Sequence, residues 1–184
     1  MSEHGLNHDQ QRFLLNLARD SIAYYLENRT QLKIEMEDDV LQEKRGVFVT
    51  LKLAKNLRGC IGYPLPHDPL YQSVIEAAVL AATKDHRFPP LKPEELPQTR
   101  IEISVLSLPR RIDNVSEIEV GKHGIIVTQG LNRGLLLPQV PLEWNWDLET
   151  YLNHGSLKAG LPETAWKQGA EIEIFTAQIF SDNL

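Results

Sequence analysis

The sequence of 184 residues contains a single cysteine, Cys60. One thiol excludes an intramolecular disulfide and every zinc site that requires several cysteines. No apolar run approaches the roughly 20 residues that a membrane-spanning helix needs. The first residues, Met1 to His4, show no basic region followed by an apolar one, so no signal peptide is predicted. These absences favour the reducing cytoplasm as the location of the protein.

Basic residues are fewer than acidic ones, 19 Lys and Arg against 25 Asp and Glu, which gives a net charge of −6 and a pI of about 5.5. This balance argues against a general nucleic-acid binder, which normally presents a basic face. The hydrophobic fraction of 42% and the charged fraction of 24% are ordinary for a globular protein. The length fits a single domain over residues 1–184, with room for a smaller lobe within it.

The most informative stretch is Leu57–Gly62, Leu-Arg-Gly-Cys-Ile-Gly. On a strand, Arg58 and Cys60 would project from the same face because side chains alternate with a period of two. A guanidinium near a thiol favours the reactive thiolate. Glycines within a strand usually mark a bulge or a close backbone approach. The alternative is a structural Cys60, since free cysteine is often buried as a small hydrophobic residue.

Periodicity predicts the elements of the N-terminal half. An amphipathic helix is expected from about Asn7, its N-cap, to Glu27, with one stripe of buried residues. That stripe comprises Leu15, Ala18, Ile22, Tyr25 and Leu26. Alternation over residues 47–53 and the return over residues 57–63 predict a β-hairpin. A second helix is expected up to Lys84, with Asp68 as N-cap, Pro69 at its first position and alanines on its buried side.

The C-terminal half reads as further strands and one helix. A strand is expected over residues 101–105, two or three short strands between Val115 and Leu137, and a long closing strand over residues 172–180. The apolar phase of the closing strand changes at Phe175, which is consistent with a bulge or with a strand buried on both faces. Asn145 or Asp147 starts a helix that ends near Gly160. Hairpin-like pairings dominate, so the predicted fold class is α+β with a largely antiparallel sheet and flanking helices.

The loop Asp85-His86-Arg87-Phe88 carries three polar side chains in a row. Such a loop can build a site because functional residues are often held on loops by a rigid scaffold. The alternative is a surface Asp–Arg pair of little energetic value.

Six ordered blocks make the chain similar to a known family. They are residues 46–51, 57–62, 85–91, 101–106, 134–140 and 158–162. Together they resemble the AMMECR domain family, called AmmeMemoRadiSam system protein A in prokaryotes. The resemblance implies two unequal lobes and a functional link with a Memo-like protein and a radical-SAM protein, and it favours a site at Asp85 and Arg87. It implies no settled reaction. The family often has a cysteine where this chain has Ser156, which weakens any two-cysteine scheme.

Two functions remain open at this point. In one, Cys60 is a nucleophile, Arg58 stabilises its thiolate, and His86 or His67 is the base. In the other, a cleft around the motif uses Arg58, Gly59, Asp85 and Arg87 to bind a small anionic ligand or a partner's peptide, since arginine suits carboxylate and phosphate. The lack of an assignable base favours the binding or accessory function.

No cofactor and no metal are predicted. His4 and His8 lie four residues apart, but no third ligand is near them.

Overall fold

The computed structural model describes residues 5–182. The chain divides into two compact units: one runs to Leu106 and takes in the chain again from Gln178, and the other is Ser107–Ala177. Within the described residues, no helix combines the length and the apolar character that crossing a membrane requires. His4, one of the two histidines considered together above, lies outside the described residues.

Helices and strands alternate along the chain. The helices are α1 (His8–Asn28), α2 (Asp39–Gln42), α3 (Leu70–Thr83), α4 (Val140–Glu143) and α5 (Leu148–Lys158), with short 3₁₀ turns at Pro93–Gln98, Val115–Glu117 and Ala165–Lys167. The strands are β1 (Val47–Leu53), β2 (Asn56–Tyr63), β3 (Thr99–Leu106), β4 (Arg110–Ile112), β5 (Gly124–Gln129), β6 (Asn132–Leu136), β7 (Glu171–Phe175) and β8 (Ala177–Ser181). The predicted α+β class with antiparallel pairing is confirmed.

The first unit contains a sheet of order β2-β1-β3-β8, in which β1 pairs antiparallel with both β2 and β3. Val47, Val49 and Leu51 of β1 are fully buried, and α3 packs on β1 and β2. Helix α1 packs on α3 and on β3. The alternate residues of β1 are only half-buried, so one face of the sheet carries the core and the other is less buried.

The second unit contains a sheet of order β4-β7-β5-β6 with antiparallel pairings throughout the described strands. Helix α5 packs on β5 and β6. Of the two predicted starts, Asn145 and Asp147, it is Asp147 that caps this helix, with Oδ1 accepting the Thr150 N–H at 2.8 Å. Gly160 follows the helix with a φ of +73°, and the Leu161 N–H reaches the Ser156 carbonyl at 3.0 Å.

The first helix is close to its prediction, except for its buried stripe. Asn7 is the N-cap and forms a capping box with Gln10. Leu14 and Leu17 are buried in the core, whereas the predicted Leu15 and Tyr25 are only half-buried. The stripe is rotated because α1 packs on two elements, α3 and β3, and the core side follows both.

Two boundary predictions were wrong. Pro69, not Asp68, is the N-cap of α3, because Asp68 Oδ2 is engaged by His67 Nδ1 at 2.8 Å, while the Leu70 N–H is satisfied by the Glu43 carbonyl at 3.0 Å. The second wrong prediction is the single closing strand over residues 172–180, since the structure has two strands there, β7 and β8. Its change of phase marks the passage at Thr176 from one sheet to the other, and is not a bulge.

Candidate functional site

The Leu57–Gly62 motif lies on β2, at one edge of the first sheet. The hairpin register shifts between Leu51 and Lys52: Lys52 pairs with Leu57, but Leu51 pairs with Gly59. Arg58 is therefore the extra residue of a β-bulge. The prediction that Arg58 and Cys60 project side by side assumed a regular alternation, and that alternation fails at Arg58.

Gly59 permits a close contact between strand and helix. A Cβ atom at this position would lie 2.1 Å from the carbonyl oxygen of Ala81 in α3, and Gly59 itself is buried. The second glycine of the motif, Gly62, is constrained by β1, since a Cβ there would lie 2.3 Å from the Val47 oxygen and 2.5 Å from the Phe48 ring. The structure thus contains both features that glycines within a strand indicate, a bulge and a close backbone approach.

Arg58 is fully engaged by the segment that follows α3. Its Nε and one terminal nitrogen each donate to a carboxylate oxygen of Glu95 at 3.0 Å. The other terminal nitrogen donates to the Pro89 carbonyl at 2.8 Å. The side chains of Arg58 and Glu95 are only 12% and 22% exposed, and these hydrogen bonds lower the pKa of Glu95. Arg58 therefore fixes the motif to the chain around residues 89–95.

The side chains of Asp85 and Arg87 bind the backbone of the edge strand β2 at Cys60. Asp85 Oδ2 accepts the Cys60 N–H at 2.9 Å, and Arg87 Nη2 donates to the Cys60 carbonyl at 3.4 Å. Arg87 also holds both oxygens of Asp85, at 2.9 Å from Nε and 2.7 Å from Nη2. The pair thus satisfies the polar groups that an edge strand leaves open.

The Asp85 carboxylate is stabilised in its charged form. Its side chain is 2% exposed, whereas that of Arg87 is 46% exposed. Hydrogen bonds from the Arg87 side chain hold the pKa of Asp85 well below its ordinary range; burial opposes this, and the N–H groups of Cys60 and Arg87 assist it. The same contact raises the pKa of Arg87, to which the nearby Cys60 contributes less.

The Cys60 side chain belongs to a row of paired residues that runs across the sheet from β2 through β1 to β3. The thiol is half-buried, and Thr50 Oγ1, on the directly paired residue, donates to Sγ at 3.2 Å. Thr50 also pairs with Glu102 of β3, whose carboxylate accepts Lys52 Nζ at 2.8 Å. Cys60, Thr50, Lys52 and Glu102 are all half-buried; together they form the surface referred to below as the Cys60 face.

Neither predicted base contacts the thiol. His86 is exposed and makes no hydrogen bond to the described residues. His67 Nδ1 is engaged by Asp68, and the His67 ring stacks on Tyr63 with centroids 6.1 Å apart. Across residues 5–182, no three His, Cys, Asp or Glu side chains converge as a metal site would require. Of the predicted site residues, the structure brings Cys60, Asp85 and Arg87 together, while Arg58 and Gly59 serve the packing around them.

The family model for AMMECR1 matches residues 15–180. The chain belongs to the AMMECR1 family. The resemblance found in the six sequence blocks is therefore confirmed.

Members of the AMMECR1 family from archaea match along nearly their whole length. Protein MK0488 of Methanopyrus kandleri is 47% identical, covering 95% of this chain and 89% of the relative. Protein MJ0810 of Methanocaldococcus jannaschii is 45% identical, covering 92% and 89%. The crystal structure of the uncharacterized protein PH0010 from Pyrococcus horikoshii has a TM-score of 0.82 and 40% identity, covering 97% of this chain and 94% of that one. None of these names states an activity.

Sequence reasoning missed four residues of this AMMECR1 site: Thr50, Lys52, Glu95 and Glu102. Thr50, Lys52 and Glu102 lie at polar positions of strands whose pattern was recognised, so the face that they share was predictable. Glu95 lies on a 3₁₀ turn after the proline pair at residues 89–90. No periodic signal marks it as the partner of Arg58.

Proposed function

We propose that this AMMECR1 protein is a binding or accessory component that acts with a Memo-like protein and a radical-SAM protein, and that it recognises its partner through the Cys60 face. The carrying observation is that both arginines around the motif are held by carboxylates, Arg58 by Glu95 and Arg87 by Asp85. These contacts fix the chain around Cys60, which is half-buried, and no histidine among the described residues is hydrogen-bonded to its thiol. Rigid presentation without a base supports recognition better than catalysis.

Of the two arginines around the motif, Arg87 is the one with a nitrogen left to donate to an anion. The donors of Arg58 are directed at Glu95, Pro89 and Pro90. Arg87 has no acceptor for Nη1 among the described residues, and its side chain is 46% exposed. A carboxylate of a partner protein would therefore bind at Arg87, next to the Cys60 backbone.

The test uses a charge exchange on the Cys60 face. The double variant Lys52→Glu, Glu102→Lys keeps an ion pair between β1 and β3 but reverses its direction. Titration calorimetry with the purified Memo-like and radical-SAM proteins of the same organism should show affinity for one of them, reduced at least tenfold in this variant. The matched control is the exchange Arg110→Glu, Glu117→Arg, on a pair of the second unit that is also 2.8 Å apart. Equal loss in both exchanges, or unchanged affinity in the first, would exclude the Cys60 face.

A thiol-dependent activity is the second candidate, favoured by the Thr50 hydroxyl at 3.2 Å from Sγ and by the proximity of Arg87. This function requires a covalent adduct or a turnover that depends on sulfur. Intact-mass measurement after incubation with cell extract should then reveal an adduct on the wild type that is missing from Cys60→Ala. The binding function predicts no adduct, and partner affinity retained by Cys60→Ser.

A further inference from the structure

The second unit exposes a tryptophan in a stretch rich in apolar side chains. Trp144 is 68% exposed and Leu142, two residues before it, is 62% exposed. Trp146 is half-buried and packs against the core of the second unit. An indole left largely in water next to an anchored one is a feature of interaction surfaces, where tryptophan is enriched.

The chain reversal after α4 places these rings together. Asn145 adopts a φ of +53°, and the Trp146 N–H donates to the Pro141 carbonyl at 2.8 Å, as in a Schellman motif. The Trp146 ring stacks on His154 of α5 with centroids 3.9 Å apart and planes 1° apart. Trp144 stacks on Trp146 at 6.3 Å and 21°. The three side chains, called here the Trp144 platform, form a layered aromatic surface with the most exposed ring at its end.

The surroundings of the Trp144 platform are acidic. The sequence has no Lys or Arg between Arg133 and Lys158, but has Glu143, Asp147 and Glu149. Glu149 is paired with Lys167, whereas Glu143 and Asp147 form no ion pair with any described residue. Lys122, on the loop that approaches Leu142, is itself paired with Glu119 at 2.7 Å. Two carboxylates without an ion-pair partner therefore lie within three residues of Trp144 in the chain, and one of them, Asp147, also caps α5 through Oδ1.

We propose that the Trp144 platform receives an arginine side chain from an exposed segment of a partner protein. A cation over an indole is the strongest of the common cation–π contacts, and the planar guanidinium of arginine also stacks on aromatic faces. Glu143 and Asp147 supply the acceptors for its N–H groups, and Leu142 offers apolar area to its aliphatic stem. Nucleobases also stack on tryptophan, but the two carboxylates repel phosphate. The Trp144 platform belongs to the second unit, and this proposal does not rest on the proposed function.

The experiment compares two peptides of nearly the same shape, in which the cationic guanidinium of arginine is replaced by the neutral ureido group of citrulline. Acetyl-Gly-Ser-Arg-Ser-Gly-amide and its citrulline analogue are titrated into ¹⁵N-labelled full-length protein, and the indole N–H resonances are followed. The arginine peptide should shift the resonances of Trp144 and Trp146, with an affinity about two- to fivefold above that of the citrulline peptide, the value expected of an exposed cation–π contact. Trp144→Leu should remove the shift of Trp146, while Trp144→Phe should retain part of it.

Variants that each remove one negative charge distinguish a specific role of the two carboxylates from general electrostatic attraction of the peptide to the protein. Glu143→Gln and Asp147→Asn, the latter keeping a capping side chain, should each weaken the arginine peptide about twofold and leave the citrulline peptide unchanged. Glu27→Gln on α1, which makes the same change in net charge, should have no effect. Equal affinity for the two peptides, tighter binding of an oligouridine than of the arginine peptide, or a Trp144-dependent dimer in sedimentation velocity would each overturn the proposal.

Discussion

The Asp85 carboxylate accepts the backbone N–H of Cys60 at 2.9 Å, although helix α3 separates the two residues in sequence. This contact joins the loop after α3 to the strand before it. Because Arg87 holds the same carboxylate and also reaches the Cys60 carbonyl, the edge of β2 is completed by two side chains in place of a further strand. The position of the cysteine therefore depends on Asp85.

Replacing Asp85 should be strongly destabilising. Asp85→Ala leaves the partly buried Cys60 N–H without its acceptor and Arg87 without its partner, so the free energy of unfolding should fall by about 2–4 kcal/mol. Urea denaturation followed by circular dichroism measures this. Glu35→Ala, on a carboxylate that forms no ion pair with a described residue, serves as control and should change stability by about 0.5 kcal/mol or less. A loss for Asp85→Ala no larger than that of the control would contradict the structural role.

The same carboxylate predicts a pH dependence. The pKa of Asp85 is lowered on folding, so its contribution to stability is complete above the unfolded value of about 3.9 and is lost as the pH falls toward the folded value. The wild type should therefore lose more stability than Asp85→Asn between about pH 5 and pH 3. Parallel losses in the two proteins would show that Asp85 does not carry this dependence.

Glu95 and its neighbour Glu94 provide a matched pair. Glu95 binds Arg58 through both oxygens, whereas Glu94 is exposed and forms no ion pair with the described residues. Glu95→Gln should reduce the free energy of unfolding by about 1–3 kcal/mol because a partly buried, charge-assisted pair is lost. Glu94→Gln should leave it within about 0.5 kcal/mol. Thermal melts of the two variants, side by side, check this; equal melting temperatures would remove the role assigned to Arg58.

Gly59 should tolerate no side chain. An added Cβ meets the backbone oxygen of Ala81 at 2.1 Å, and a backbone atom can move only if α3 lifts from the sheet. Gly59→Ala should therefore cost at least about 2 kcal/mol, as overpacking of a core does. Gly130→Ala is the comparison, since its site is open but its φ is +61°, so it reports backbone strain of about 1–2 kcal/mol alone. A smaller loss at Gly59 than at Gly130, in equilibrium unfolding, would contradict the close contact.

Most of the fold follows from local patterns in the sequence. Asn7 and Asp147 begin helices as their capping side chains predict, and Gly160 ends α5 in the left-handed conformation. The fold class and the family follow from alternation and from the motifs. Asp68 has the side chain of a typical N-cap, but it does not cap α3, because its carboxylate binds His67.

The geometry around Cys60 was not predictable by the same means. The predicted arms, residues 47–53 and 57–63, would pair Thr50 with Cys60 and Lys52 with Arg58. The structure has a two-residue turn at Ala54–Lys55 and a bulge at Arg58, which leave Thr50 opposite Cys60 but take Arg58 out of the pairing. A one-residue shift changes which side chains share a face. The long-range pairing of Arg58 with Glu95 has no local pattern at all. The site therefore depends on tertiary contacts that spacing does not encode.

The central claim, that the Cys60 face binds a partner protein, is tested most directly through the single cysteine. Fluorescein maleimide should react with Cys60 in the folded protein, because the residue is only half-buried. The labelled protein should then lose affinity for the Memo-like or radical-SAM protein by at least tenfold. The control is Cys60→Ala with Leu131→Cys, since Leu131 is fully exposed on the β5–β6 turn, and its labelled form should bind normally. A thiol that reacts only after unfolding, or a Cys60-labelled protein that binds its partner like the unlabelled one, would contradict the account.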